Sequence, residues 1–265
     1  MSKEMKDTKE VKELSRVGTK IIVGEIFDTL NYGRLIVTEY KDSYNLKVKF
    51  METGYETVTK ANQLRKGEVK DRLLPSVYGV GIIGDTVTKV NGKTLKEYIL
   101  WKSMLCRCYD VKYSNKYPTY RNSEVSDSFK YFPYFKEWCK KQIGCDQQGW
   151  HLDKDILVKG NKLYSEDTCC FVPKEINNLL IKNDSSRGEY PVGVRYRKKS
   201  RKFESQLTIC GKMVYLGCFN NPEKAFQAYK AAKEAYIKDV ANKWKGEIDN
   251  RAYEALMNYE VEIND

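Results

Sequence analysis

YPVGVRYRKKSRKFESQLTICGKMVYLGCFNNPEKAFQAYKAAKEAYIKDVANKW, residues 190–244, is the stretch whose reading decides the fold. Gly193–Arg197 suits a short first strand and Lys198–Arg201 a basic turn. Phe203, Ser205, Leu207 and Ile209 alternate with Glu204, Gln206 and Thr208, the two-residue period of a half-buried strand. Cys210-Gly211-Lys212 turns the chain into a third strand, Met213–Phe219. Asn221-Pro222-Glu223 then starts a helix, with Asn at the cap and Pro in the first turn. Ala225, Ala228, Tyr229, Ala232, Ala235, Tyr236 and Val240 recur at three- and four-residue spacing, a narrow face able to press closely onto a three-stranded sheet.

The net charge of +11 concentrates in the same place. Residues 191–245 hold 13 Lys/Arg against 4 Asp/Glu, and everything else contributes only +2. An excess so localised, interleaved with strand residues rather than set along one amphipathic helix, is the footprint of a polyanion rather than of a membrane surface. A sheet of this size fits the roughly 12 Å major groove of double-stranded DNA. The residues placed on the DNA are Arg195, Arg197, Lys199, Lys202, Glu204, Gln206 and Thr208. The basic groups grip phosphates, and the forks of Arg195 and Gln206 suit the edges of G and A respectively.

Gly193-Val194-Arg195, the aromatic Phe203, the run G-K-x-V-x-L-G-x-F over 211–219 and A-x-x-A-Y over 225–229 resemble the AP2 DNA-binding domain. The resemblance covers about 55 residues and implies the same strand-strand-strand-helix order.

Working outward, residues 145–180 read CDQQGWHLDKDILVKGNKLYSEDTCCFVPKEINNLL. H-L-D-K-D is followed by a loop containing Gly160-Asn161, a short apolar strand at Cys169–Val172, and a helix from Pro173 that carries Asn177 and Asn178. Strand, loop, strand and helix in that order form a frame able to hold a hard divalent cation between a carboxylate and an amide oxygen. This pattern, with YILWKSMLCRCYD (98–110) and FKEWC (135–139) before it, resembles the HNH (His-Me finger, ββα-metal) nucleases. The resemblance implies a metal-dependent, homing-type endonuclease of a phage or mobile element that uses one Mg²⁺ or Mn²⁺. Asp153 and Asn177 are then the metal ligands, and Thr168 stands at the loop-bracing position. The chain departs from the family at the general base, because the residue after the metal-binding Asp is Lys154 rather than His. A lysine is a poor base near neutrality unless its pKa falls well below about 10.4. His151, the sole histidine, lies two residues before Asp153 and so on the same face of an extended strand. His151 and Lys154 therefore both stand as candidate bases. The alternative is an inactive, nuclease-derived DNA-binding regulator or docking protein.

Residues 16–75 carry short β-branched runs (TKIIVGEI, GRLIVTEY, NLKVKFME, YETVTKAN) separated by turn signals, which suggests a small antiparallel barrel or curled sheet, a surface open to a structural role or to docking a protein partner. Residues 1–15 read as a charged helix, LLPSVYGVGIIGD (73–85) as a linker, and 246–265 as a C-terminal helix. In 94–110, Leu95, Tyr98, Ile99, Met104 and Leu105 form a helical stripe, and Phe132, Phe135 and Trp138 form another in a helix over 131–142. The expected class is α+β, with a nuclease-like unit over 86–184 and the sheet-helix module over 188–245. The eight cysteines include no C-x-x-C pair, which argues for reduced thiols rather than zinc. There is no P-loop, no G-x-S-x-G and no G-x-G-x-x-G after a strand. No apolar run reaches the length of a membrane span and the N-terminus is charged, so the expected location is cytoplasmic, in a bacterial host if the chain is phage-encoded.

Overall fold

The computed structural model describes residues 20–181, 189–263 and 265, so the segment 1–15 lies outside the described residues. The fold is mixed α and β with several small sheets, in two compact units divided between Val87 and Thr88. Among the described residues no helix is long and apolar enough to cross a membrane.

The N-terminal unit is a meander of four antiparallel strands: β1 (Ile26–Asp28), β2 (Arg34–Asp42), β3 (Asn45–Phe50) and β4 (Glu56–Thr59). The short helix α1 (Ala61–Arg65) follows. Leu46, Val48 and Phe50 alternate inward from β3 to meet Leu35, Val37, Tyr55 and Leu64, while Lys47 and Lys49 point out. The expected barrel does not close. The four strands pair only in sequence order, leaving β1 and β4 as open edges. The first strand is also shorter than its apolar run, because Ile22 to Glu25 form a turn with Glu25 N bonded to Ile22 O at 3.2 Å. Residues 73–85 form no strand or helix; they belong to the first unit, where Leu73 packs on its core and Val77 bridges to Gly81.

The second unit opens with a hairpin, β5 (Lys89–Val90) and β6 (Lys93–Thr94), and the helices α2 (Lys96–Tyr109) and α3 (Val111–Lys116). A 3₁₀ turn (Pro118–Tyr120), β7 (Glu124–Val125), α4 (Asp127–Lys130) and α5 (Phe132–Lys140) come next. Phe132, Phe135 and Trp138 bury one side of α5 as their spacing predicts. On α2 the stripe is rotated, with Ile99 exposed and Trp101 fully buried, its Nε1 donating to Phe129 O at 2.7 Å.

β8 (Trp150–Asp153) and β10 (Cys170–Pro173) pair antiparallel, and α6 (Lys174–Leu179) follows β10 directly. Between them β9 (Leu163–Tyr164) pairs in parallel with β7. The C-terminal sheet is β11 (Val194–Arg197), β12 (Lys202–Ile209) and β13 (Lys212–Phe219), antiparallel in that order. It is backed by α7 (Pro222–Lys243), whose cap Asn221 accepts Lys224 N at 2.9 Å, and α8 (Asn250–Met257) packs on α7.

The expected boundary between 184 and 188 does not separate two cores. Ile156, Cys170, Val172 and Ile176 of the ββα region share one cluster with Leu207, Phe226, Tyr229, Ile237, Val240 and Ala241 of the sheet-helix region. Glu175 on α6 accepts from Lys243 Nζ at 2.7 Å and from Trp244 Nε1 at 2.8 Å. Lys233 Nζ reaches Leu179 O at 2.8 Å. This second partner explains why α7 buries Phe226, Ile237 and Ala241 in addition to its small-residue face, and leaves Ala235 exposed.

The close approach of α7 to the sheet depends on Gly193, which sits at φ +74° with the Tyr229 ring 2.0 Å from where a Cβ would stand. Gly211 has the same backbone sign, φ +77°, but open space around it. Gly211→Ala should therefore cost only the left-handed strain, about 1–2 kcal/mol. Gly193→Ala should cost about 1–3 kcal/mol more through overpacking. Urea unfolding of both variants checks this, and equal losses would contradict the packing described.

Candidate nucleic-acid interface

Strand register sorts the C-terminal sheet into two faces. Val194 opposes Ser205 and Tyr196 opposes Phe203, so these residues share the face that carries Leu207 toward α7. Tyr190, Tyr196 and Phe203 pack as a ring cluster, with centroids 5.1–6.0 Å apart. The opposite face carries Arg195, Arg197, Lys202, Glu204, Gln206 and Thr208, and Lys199 sits exposed in the turn between β11 and β12. The structure thus brings six of the seven expected residues onto one sheet face and places the seventh at its rim.

Glu204 departs from expectation. Its side chain is only 3% exposed, because two guanidiniums cover it. Arg195 donates from Nε and Nη2 to Oε2, both at 2.8 Å, and Arg197 Nη1 lies 2.9 Å from Oε1. Glu204 is therefore a support for the two arginines and not a contact with a partner. The arginines keep 55% and 60% of their side chains exposed. The clamp carries a net positive charge and holds both forks in fixed positions.

Three outward residues were not legible in the alternation. Met213 and Tyr215 oppose Thr208 and Gln206, and Cys218 opposes Glu204. The register shifts between Ser205 and Gln206, where Leu216 is the extra residue of β13. Without that bulge Cys218 would face α7. Met213 and Tyr215 are 64% and 60% exposed, an apolar strip beside the arginine clamp.

The ββα region places the other candidates. Asp153 ends β8 opposite Cys170, and its Oδ1 accepts Asp155 N at 2.8 Å and Ile156 N at 2.9 Å. Burial, followed by the neighbouring charge of Asp155, pushes its carboxyl up to about 6. His151 is exposed on β8 two residues earlier, opposite Val172. Asn177 is half-buried on α6, which packs on both strands. Among the described residues no group of three or more His, Cys, Asp or Glu side chains converges as a metal site.

Lys154 reaches into the loop that follows β8. It is buried, with Nζ 2.8 Å from Asn161 O and 3.2 Å from Asp155 Oδ2, and 5.8 Å from the Tyr164 ring centroid. Its ammonium braces the loop, a role opposed to that of a base. Thr168 braces the same loop, donating from Oγ1 to Leu163 O at 2.6 Å and accepting from Ser165 N at 3.2 Å. Asn161, not singled out as a site residue, does more of this work. Its Nδ2 reaches Lys154 O at 2.6 Å and Leu163 O at 2.7 Å. The cysteines are free, and burial raises the Cys108 and Cys169 thiols to about 12.

Comparison with family models, curated proteins and solved structures finds no match for this chain.

The raised Asp153 carboxyl has a consequence for stability. The folded state holds this proton up to about pH 6, whereas the unfolded chain releases it near pH 3.8. Its contribution is full below that lower value and is lost as pH rises to about 6. Asp153→Asn should remove a decline on the order of 2–3 kcal/mol across that window. Chemical denaturation from pH 3.5 to 7 checks it, and an unaltered slope in the variant would contradict the assignment.

Proposed function

We propose that this chain binds double-stranded DNA through the outer face of β11–β13 and hydrolyses phosphodiesters at the ββα region with one divalent cation, Mg²⁺ or Mn²⁺. The observation that carries the DNA reading is the Arg195–Glu204–Arg197 clamp. Glu204 is the sole carboxylate among the outward positions of the three strands, and it is covered, so the face offers phosphates two oriented guanidiniums and the amines of Lys199 and Lys202. Charge-assisted Arg–phosphate contacts in this fork geometry are strong and specific in orientation. Gln206, Tyr215 and Met213 on the same face meet base edges and thymine methyls. The resemblance of this stretch to the AP2 domain supports the same partner.

The nuclease reading rests on Asp153. A carboxylate withdrawn from water beside the second carboxylate of Asp155 is a poor place for negative charge alone and a good one beside a divalent cation. Asp153, with the amide oxygen of Asn177, would hold the ion. When bound, such an ion lowers the cost of charge on the scissile phosphate and the leaving oxygen. His151 projects from the same side of β8, and an imidazole nitrogen there takes the proton of the attacking water. The strand-strand-helix order and the HNH-like motif support a phage or mobile-element endonuclease.

A second reading is favoured by Lys154. It occupies the place of the family's catalytic histidine, yet its ammonium is spent on the loop. On that reading the protein binds DNA without cutting it.

Incubation with supercoiled plasmid, in Mg²⁺ or Mn²⁺ against EDTA, separates the two. The nuclease reading expects metal-dependent nicking that is lost in Asp153→Ala, lowered about 10²–10⁴-fold in His151→Ala, and nearly intact in Lys154→Met where that variant folds. Cleavage that persists in Asp153→Ala overturns the metal site, and binding without cleavage by the unaltered chain selects the second reading. The sheet is tested in parallel. Arg195→Ala with Arg197→Ala should lower the salt slope of duplex binding by about 2, since each phosphate contact contributes about 0.9. An unchanged slope would remove the clamp from the interface.

A further inference from the structure

Residues 111–123 read VKYSNKYPTYRNS, with Lys112, Lys116 and Arg121 and no carboxylate. α3 and the 3₁₀ turn after it form a ridge in which all three cations are exposed and Val111 is 71% exposed. The ridge is held firmly. Asp110 caps α3 by accepting Tyr113 N at 2.8 Å. The Tyr113 ring packs against Tyr117 and Tyr120 at 4.7 and 5.8 Å, and the Arg107 guanidinium of α2 lies 5.5 Å from the Tyr120 centroid.

This ridge is tied to the loop that begins with Asp153, Lys154 and Asp155. Lys162 Nζ donates to Thr119 O at 2.7 Å, and Lys162 O accepts Glu124 N at 2.8 Å. β7 then runs in register with β9 of that loop. Two carboxylates at one end of the loop repel a phosphate chain. A strand drawn past them needs fixed cations nearby, and exposed Lys and Arg on a rigid, carboxylate-free surface supply them.

We propose that the ridge formed by α3 and the turn after it is a second DNA-contact surface, where Lys112, Lys116 and Arg121 hold phosphates of the strand that passes Asp153. The inference rests on the reading of this chain as a DNA-binding protein but not on the sheet face being the grip. Its partner is the sugar-phosphate backbone, so the contact is independent of sequence and sensitive to salt.

The experiment measures duplex binding by the full chain, in EDTA, over a salt series. The variants are Lys112→Ala/Lys116→Ala/Arg121→Ala, Arg195→Ala/Arg197→Ala, and the control Lys238→Ala/Lys245→Ala, on α7 and in the turn that follows it. The ridge variant is expected to lower the salt slope by about 2–3, to leave the ranking of duplex sequences unchanged, and to add its loss to that of the sheet variant. Far-ultraviolet circular dichroism confirms that each variant is folded, and Lys116→Glu alone supplies a milder test with an affinity loss in the same direction. A ridge variant with the full slope, while the sheet variant loses affinity, overturns this inference and leaves the sheet reading standing. An equal loss per charge in the α7 control assigns the effect to net charge and also overturns it. Absence of binding by the unaltered chain overturns both readings.

Discussion

One buried carboxylate organises the surface on which this account turns. Arg195 and Arg197 lie two residues apart on β11, on the same face, where their like charges repel. Glu204 on the neighbouring strand accepts from both and loses its own water to them. Desolvating a carboxylate is costly unless donors replace the lost water, and three short contacts to two guanidiniums do so here. Both arginines stay more than half exposed, so the support costs the face little of its positive charge. Lys and Arg are not interchangeable in this arrangement, because an ammonium cannot place two nitrogens on one carboxylate oxygen, as Arg195 does, and still present a planar edge outward.

The clamp is effective only if the sheet beneath it is rigid, and that rigidity comes from α7. The helix is shared. Tyr229 packs against Gly193 at the start of the sheet, while Glu175 on α6 is fixed by Lys243 and Trp244 near the other end. Trp150 on β8 meets Trp244 edge-on with centroids 5.9 Å apart. The strand that carries His151 and Asp153 is therefore packed to the same helix that backs the proposed DNA face. The proposed grip and the proposed metal-binding carboxylate, joined in this way, would move together, as positioning a phosphate to within a fraction of an ångström demands.

Much of this was legible in the residues. The alternation of Phe203 to Ile209, the Asn221-Pro222 cap and the apolar Cys169–Val172 run report local backbone physics, which one sequence carries in full. The six outward positions on β11 and β12 follow from strand period, and Lys199 from the basic turn between them. What could not be read depends on contacts across the chain. The bulge at Leu216 moves Cys218 outward, and its one mark in β13 is the neighbouring Gly217, at φ +139°, which does not by itself say which residue is left unpaired. The burial of Glu204 and of Lys154 depends on which cations and carbonyls fold over them, and charge by itself predicts exposure for both. The barrel expected at the N-terminus failed because closure requires β1 to meet β4, a long-range pairing that strand propensity does not encode. The single core spanning the ββα region and the sheet was hidden for the same reason. Phe226, Ile237 and Ala241 lie off the small-residue stripe and reveal a second partner only once that partner is in place.

The outward turn of Cys218 offers the most direct test of the central claim. Cys218 stands on the outer face opposite Glu204, whereas Cys210, also exposed, lies at the turn between β12 and β13, within 3.6 Å of the Tyr236 hydroxyl. Alkylation of the full chain, resolved by mass spectrometry with and without saturating duplex DNA, compares the two thiols in one molecule. If DNA lies on this face, duplex will slow the modification of Cys218 by tenfold or more and leave Cys210 reacting at its free rate. Unchanged reactivity of Cys218 in fully bound protein would contradict the account, and would place the DNA elsewhere on the molecule.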